Sequence, residues 1–187
     1  MSRADGAAAI LPERLTAREV VGIFKPRIAV SIMLSAIGGL AISPGELPEL
    51  WRAAAVAIAV LLAAGAAGAF NQWVEADLDA RMARTSARPF ASGRIEAGWL
   101  WLGGIVALLA ASVALAGAAG NGWAAFYTFM GAFTYGIVYT VWLKRRTWLN
   151  IVVGGLAGSF AVLAGAAVVN PGLSSEAVLL AIVLFLW

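Results

Sequence analysis

The chain has 187 residues, 62% of them hydrophobic and 12% charged, with a mean hydropathy of +0.89. Soluble domains are about half apolar and a quarter charged, so a soluble enzyme, a disordered tail and a nucleic-acid module are excluded, despite a pI near 9.8. Cysteine and histidine are absent, which removes disulfides, thiolate nucleophiles, zinc-hydrolase centres, Ser-His triads and His-ligated haem.

Residues 1–19 hold Arg3, Asp5, Glu13, Arg14, Arg18 and Glu19, which interrupt any apolar core of a secretory signal. They read as a cytoplasmic leader ending in a short interfacial helix. A transmembrane helix needs roughly 20 mostly apolar residues. The first such run covers Ile28 to Ile42, or starts as early as Val20 with Lys25 and Arg27 at the interface. The second is Trp51 to Phe70, the third Gly98 to Ala119, the fourth Trp123 to Leu143 and the fifth Ile151 to Val169. A sixth opens at Ala177 and reaches Trp187, too short to cross a bilayer, so the expectation is a chain cut within its sixth helix.

Loop charges predict the orientation. The leader through Arg27 holds five Lys or Arg, the loop after span two holds Arg81, Arg84, Arg88 and Arg94, and the loop after span four holds Lys144, Arg145 and Arg146. The opposite side has only Arg52, which puts the N-terminus in the cytoplasm and, for a bacterial cell, the chain in the inner membrane. Trp51, Trp73, Trp99, Trp123, Trp142 and Trp148 fall at span ends, as an interfacial aromatic belt would. Gly154-x-x-x-Gly158 and Ala64-x-x-x-Gly68 are expected at close helix–helix contacts.

One segment breaks the apolar pattern, from Asn71 to Arg94. It follows span two without a turn residue, so the helix is predicted to continue to about Arg84, ahead of Pro89. At about 100° per residue, Asn71, Glu75 and Asp79 share one face and Asp77 falls nearly opposite. Clustered carboxylates repel unless a cation lies between them, and helix-borne oxygen ligands suit Mg²⁺. The arginines that follow suit phosphate oxygens. A metal–diphosphate site and a solvated loop of internally paired charges both fit these residue types.

Asn71-x-x-x-Glu75-x-Asp77-x-Asp79, followed by Arg81-Met-x-Arg84-Thr85-x-x-Arg88-Pro89-x-x-x-Gly93-Arg94-Ile95, resembles the first aspartate-rich motif of the intramembrane UbiA-type prenyltransferases. Within them the chain is most similar to the protohaem IX farnesyltransferase (haem O synthase) family. Lys25-Pro26-Arg27, Tyr139-Thr140-x-Trp142-Leu143-Lys144-Arg145-Arg146-Thr147 and Asn150-Ile151-Val152-Val153-Gly154-Gly155-x-Ala157-Gly158 extend the similarity over residues 20–187. The resemblance implies an all-α polytopic transmembrane helix bundle with the UbiA-type prenyltransferase fold. Here that fold would be truncated to five full spans and part of a sixth, with residues 20–187 as the N-terminal part of the intramembrane domain.

The implied reaction is transfer of a farnesyl group from farnesyl diphosphate to a vinyl group of haem b, giving haem O. Mg²⁺ is the implied cofactor. Asn71, Glu75 and Asp79 are the expected metal ligands, and Arg84, Arg88 and Lys144 the expected diphosphate contacts. Glu75 stands where many relatives have Asp. Asp77 is expected to pair with Arg81 or Arg84, and Arg145 and Arg146 to be topogenic or lipid-facing. The substrates and the lipid bilayer are the expected partners, with contact to haem A synthase or terminal-oxidase assembly as a further one, and no nucleic acid. The family continues with a second carboxylate-rich motif and three further helices, so this chain is expected to be inactive alone. The alternatives are another UbiA-type prenyltransferase, acting on a quinone or tetrapyrrole precursor, or a transporter or membrane assembly protein.

Overall fold

A computed structural model describes residues 15–186, which contain helices and no strand. Residues 1–14, most of the predicted leader, lie outside the described residues. In chain order the elements are α1 (Ala17–Ile23), α2 (Pro26–Ile42), α3 (Leu50–Val74), α4 (Ala76–Asp79), α5 (Trp99–Ala119), α6 (Gly122–Phe133), a π-helix π1 (Thr134–Leu143), α7 (Asn150–Val169) and α8 (Ser175–Leu186). Among the described residues, four segments are long and apolar enough to cross a membrane: α3, α5, α6 with π1, and α7. The bent pair α1 and α2 makes a fifth, and α8 is shorter.

The predicted spans two, three and five hold to within a few residues. The first does not run straight from Val20. α1 starts with a capping box in which Thr16 and Glu19 bond each other's backbone or side chain. It ends at Phe24, and the chain turns by 49° into α2. Pro26 occupies the first position of α2, where its missing N–H costs nothing. Lys25 lies in the left-handed region (φ 49°, ψ 57°), and its side chain turns toward α3 and π1.

α3 lies at the centre, with α2 and α5 against it, and α2 in turn packs on α7. Its buried face is small: Ala57, Ala59, Ala63, Gly65, Ala66, Ala67, Gly68 and Ala69. The close contact predicted for Gly158 is not made, since a Cβ there would meet nothing within 4 Å. The tight helix crossing is instead between α2 and α7. A Cβ on Gly39 would lie 2.0 Å from the Val162 carbonyl oxygen, and one on Gly165 only 1.8 Å from that of Ala36. Each glycine takes the other helix's backbone, as small residues do where membrane helices meet.

Large apolar side chains face outward, including Leu100 on α5, Phe126 on α6 and Leu179 on α8. In a bilayer these surfaces meet lipid. Five of the six belt tryptophans are exposed; Trp73 departs from that expectation. It donates from Nε1 to the Gly98 carbonyl (3.2 Å) and packs against a core cluster that includes Ile23, Phe90 and Ile95. The charged segment after α3 is therefore pinned down: Phe90 and Ile95 are buried beneath α1, and Arg94 bonds Glu19 of α1 at 2.5 Å.

Candidate functional site

α3 does not continue to Arg84. It ends at Val74, Glu75 breaks the helical dihedrals (φ −97°, ψ 12°), α4 adds one turn, and the chain then folds back through turns. The cause lies in what the side chains reach. Glu75 points inward to Lys144, and the Thr85 hydroxyl donates to the Asp79 carbonyl (3.0 Å). The buried Phe90 and Ile95 draw the rest of the segment back against α1.

Asn71, Glu75 and Asp79 stay on one face through this break, because the Asp79 N–H still bonds the Glu75 carbonyl. All three are buried, at 2%, 1% and 2% exposed, and line a cleft of about 460 Å³. Buried carboxylates need partners. Glu75 Oε2 accepts from Lys144 Nζ at 2.6 Å and from Asn71 Nδ2 at 2.9 Å. Asp79 Oδ2 accepts from Arg88 at 2.6 Å. Arg84 lines the same cleft, exposed, with no ion pair among the described residues. All six expected site residues thus border one cleft.

Asp77 is turned away. It pairs with Arg145 at 3.1 Å rather than with Arg81 or Arg84, and both side chains are about half exposed. The break at Glu75 aims it toward the loop after π1, where Arg145 is its partner.

Several cleft residues were missed. Lys25 Nζ donates to Asn71 Oδ1 (2.5 Å) and to the Tyr135 hydroxyl (3.0 Å). Gln72 donates to the Gly22 and Ile23 carbonyls, tying α1 to α3, which leaves its Oε1 buried without a partner. Tyr135 and Tyr139 stack at 5.3 Å, and Thr140 accepts from Asn71 Nδ2 at 3.1 Å. The lysine of Lys25-Pro26-Arg27 and the two tyrosines within span four were visible; their convergence was not.

These residues depend on π1. The Thr140 hydroxyl donates to the Tyr135 carbonyl five residues back (2.8 Å), and the Lys144 N–H bonds the Tyr139 carbonyl (3.0 Å). That spacing is π-helical, and π segments concentrate at functional sites. Below the cleft lies a second, apolar cavity of about 290 Å³, walled by α2, α3, α6 and α7. Gly131, Gly154, Gly155 and Gly158 form part of its wall.

The arrangement is a polar, charge-lined cleft over an apolar cavity inside a membrane helix bundle, which suits an amphiphile with an anionic head. Among the described residues no cluster of three carboxylates forms a ready-made metal site. The donor set still offers an oxygen to a hard cation: Glu75 Oε1 is buried without a hydrogen bond, and Asn71 and Asp79 line the same cleft.

The chain belongs to the UbiA prenyltransferase family, whose model matches residues 32–187. It is 59% identical over 168 residues to protoheme IX farnesyltransferase 2 of Paramagnetospirillum magneticum, covering 90% of this chain and 58% of that protein. Protoheme IX farnesyltransferase 1 of the same organism is 44% identical, with 92% of this chain and 60% of that protein covered. The protoheme IX farnesyltransferase of Agrobacterium fabrum is 43% identical, with 91% and 53% covered. The chain thus spans between about half and three fifths of the length of these relatives. No solved structure matches.

Proposed function

We propose that this chain carries part of the active site of a prenyltransferase that moves a farnesyl group from farnesyl diphosphate to the vinyl group of haem b, giving haem O. One observation carries the reading. Two buried carboxylates, two buried amides and four cationic side chains line a cleft that shares wall residues with an apolar cavity. The names of the relatives supply the prenyl donor's length and the acceptor.

Asn71, Glu75 and Asp79 would hold Mg²⁺, which supplies charge neutralisation for a departing diphosphate. Arg84, Arg88 and Lys144 bind the diphosphate oxygens, Arg by its planar fork and Lys as a point charge. The apolar cavity takes the farnesyl tail and keeps water from the allylic cation. Residues 20–187 form the N-terminal part of the intramembrane domain behind a cytoplasmic leader, 1–19. The bacterial inner membrane is the proposed location, and contact with haem A synthase or terminal-oxidase assembly would follow from the use of haem O as the precursor of haem A.

Calorimetry on the purified protein tests the function. Farnesyl diphosphate should bind in Mg²⁺ and lose most of its affinity in a chelator. Failure to bind would overturn the function, and binding indifferent to the chelator would overturn the metal assignment. The cytoplasmic placement of the cleft is tested separately. The chain has no cysteine, so Ser86→Cys introduces a single thiol. It should react with a membrane-impermeant maleimide in inverted vesicles and not in intact spheroplasts; the reverse pattern would invert the topology.

A further inference from the structure

We infer that Lys25 is a catalytic residue that supports the departing oxygen when the prenyl carbon–oxygen bond breaks. The inference rests on the diphosphate reading above and goes beyond it, because none of the six residues assigned there borders the apolar cavity.

The polar cleft and the apolar cavity share three lining residues: Lys25, Ile28 and Tyr135. An amphiphile with its anionic head in the cleft and its tail in the cavity passes from one to the other beside them. In a prenyl diphosphate that passage is the C1–O bond. Of the three shared residues, only Lys25 carries a cation.

Its surroundings leave that cation available. Lys144 is paired with Glu75 and Arg88 with Asp79, each at 2.6 Å. Lys25 bonds two neutral groups, the Asn71 amide oxygen and the Tyr135 hydroxyl. An ammonium has three N–H donors, so one remains. No carboxylate lies within ion-pair distance of it among the described residues.

The backbone is held for this placement. Lysine in the left-handed region is strained, and such strain persists where surrounding structure over-determines it. Gly68 provides the room: a Cβ there would lie 3.4 Å from Lys25 Cβ and Cδ. Gln72 fixes the two carbonyls just before the turn.

The step is a heterolysis. The C1–O bond breaks, its electron pair goes to the bridging oxygen, and the tail is left as an allylic cation in the cavity. Lys25 keeps its proton and donates a hydrogen bond to the oxygen as negative charge builds there. A donor that acts where charge develops lowers the barrier more than it tightens binding.

The test uses the whole protein in nanodiscs, with farnesyl transfer to haem b as the rate and competition by inorganic pyrophosphate in Mg²⁺ as the affinity. Lys25→Met should lower kcat by about a hundredfold or more. Pyrophosphate affinity should change by less than about tenfold, since pyrophosphate has no prenyl bond to break. Lys25→Asn, whose side chain tolerates the left-handed backbone, should behave alike. Lys25→Arg should recover part of the rate. If pyrophosphate affinity falls as far as kcat in the Met and Asn variants, Lys25 is a general anion clamp and the inference is wrong. Unchanged kcat would also overturn it. A wild-type protein that binds no farnesyl diphosphate would instead overturn the underlying function.

Discussion

Asp79→Ala and Asn71→Ala should each abolish farnesyl transfer in the whole protein, with losses of about a hundredfold to a thousandfold or more, while insertion into the membrane is unaffected. Asp79 is 2% exposed and holds Arg88 through its carboxylate. Its loss removes a proposed metal ligand and also releases a proposed diphosphate contact from its position. Asn71 reaches further. Its amide joins Lys25, Glu75 and Thr140, so truncation disconnects helices α2, α3 and π1 at once. Asp77→Ala is the internal control. Its pair with Arg145 is exposed on both sides, and such pairs contribute little. It should retain activity within about threefold of wild type, as surface substitutions away from such networks usually do. Haem extraction and chromatography on cells lacking their own haem O synthase would measure all three. Equal losses in Asp77→Ala and Asp79→Ala would mean that burial does not separate their roles and that the site assignment is wrong.

Gly165→Ala should be the most damaging single methyl that this bundle can receive. The added Cβ would sit 1.8 Å from the Ala36 carbonyl oxygen, and backbone cannot swing aside as a side chain can. Overpacking usually costs 1–3 kcal/mol, and a backbone clash on both helices puts this one at about 3 kcal/mol or more. Gly39→Ala meets the Val162 carbonyl in the same way. Gly103→Ala on α5, where the new atom would meet nothing within 4 Å, should leave stability unchanged or raised. Unfolding by added sodium dodecyl sulfate in maltoside micelles compares them. A Gly165→Ala protein as resistant as Gly103→Ala would show that α2 and α7 cross less closely than described.

The spans were legible because lipid demands long apolar runs and loop composition marks their ends. The site stripe was legible because Asn71, Glu75 and Asp79 keep a four-residue spacing, and one turn of helix on each side of Glu75 preserves it. The break at Glu75 was not, since it follows from Lys144, which is far along the chain. The left-handed Lys25 escaped notice for a similar reason: the groups that hold it, Gly68, Asn71, Gln72 and Tyr135, lie on other elements. Gly39 and Gly165 end stretches with the same small-residue spacing, Ser35-x-x-x-Gly39 and Ala161-x-x-x-Gly165, but which helix each one meets is set by where two helices cross. The glycines of Ala64-x-x-x-Gly68 and Gly154-x-x-x-Gly158, by contrast, do other work. Gly68 receives the Lys25 stem, Gly154 faces the Tyr139 ring, and Gly158 borders the cavity.

π1 has a consequence for how the protein can change in length. Removing one residue from an α-helix turns everything beyond it by about 100° and shortens it by 1.5 Å. In most of this bundle that would detach a whole span from its neighbours. Between Thr134 and Leu143 the backbone bonds run five residues back, so the ladder holds more chain than an α-helix of the same rise. A lost residue there is absorbed when a five-residue bond closes to a four-residue one. Lys144 and α7 then keep their places. The fourth span carries slack in its own hydrogen bonds, next to the cleft where a misplaced turn would do most harm.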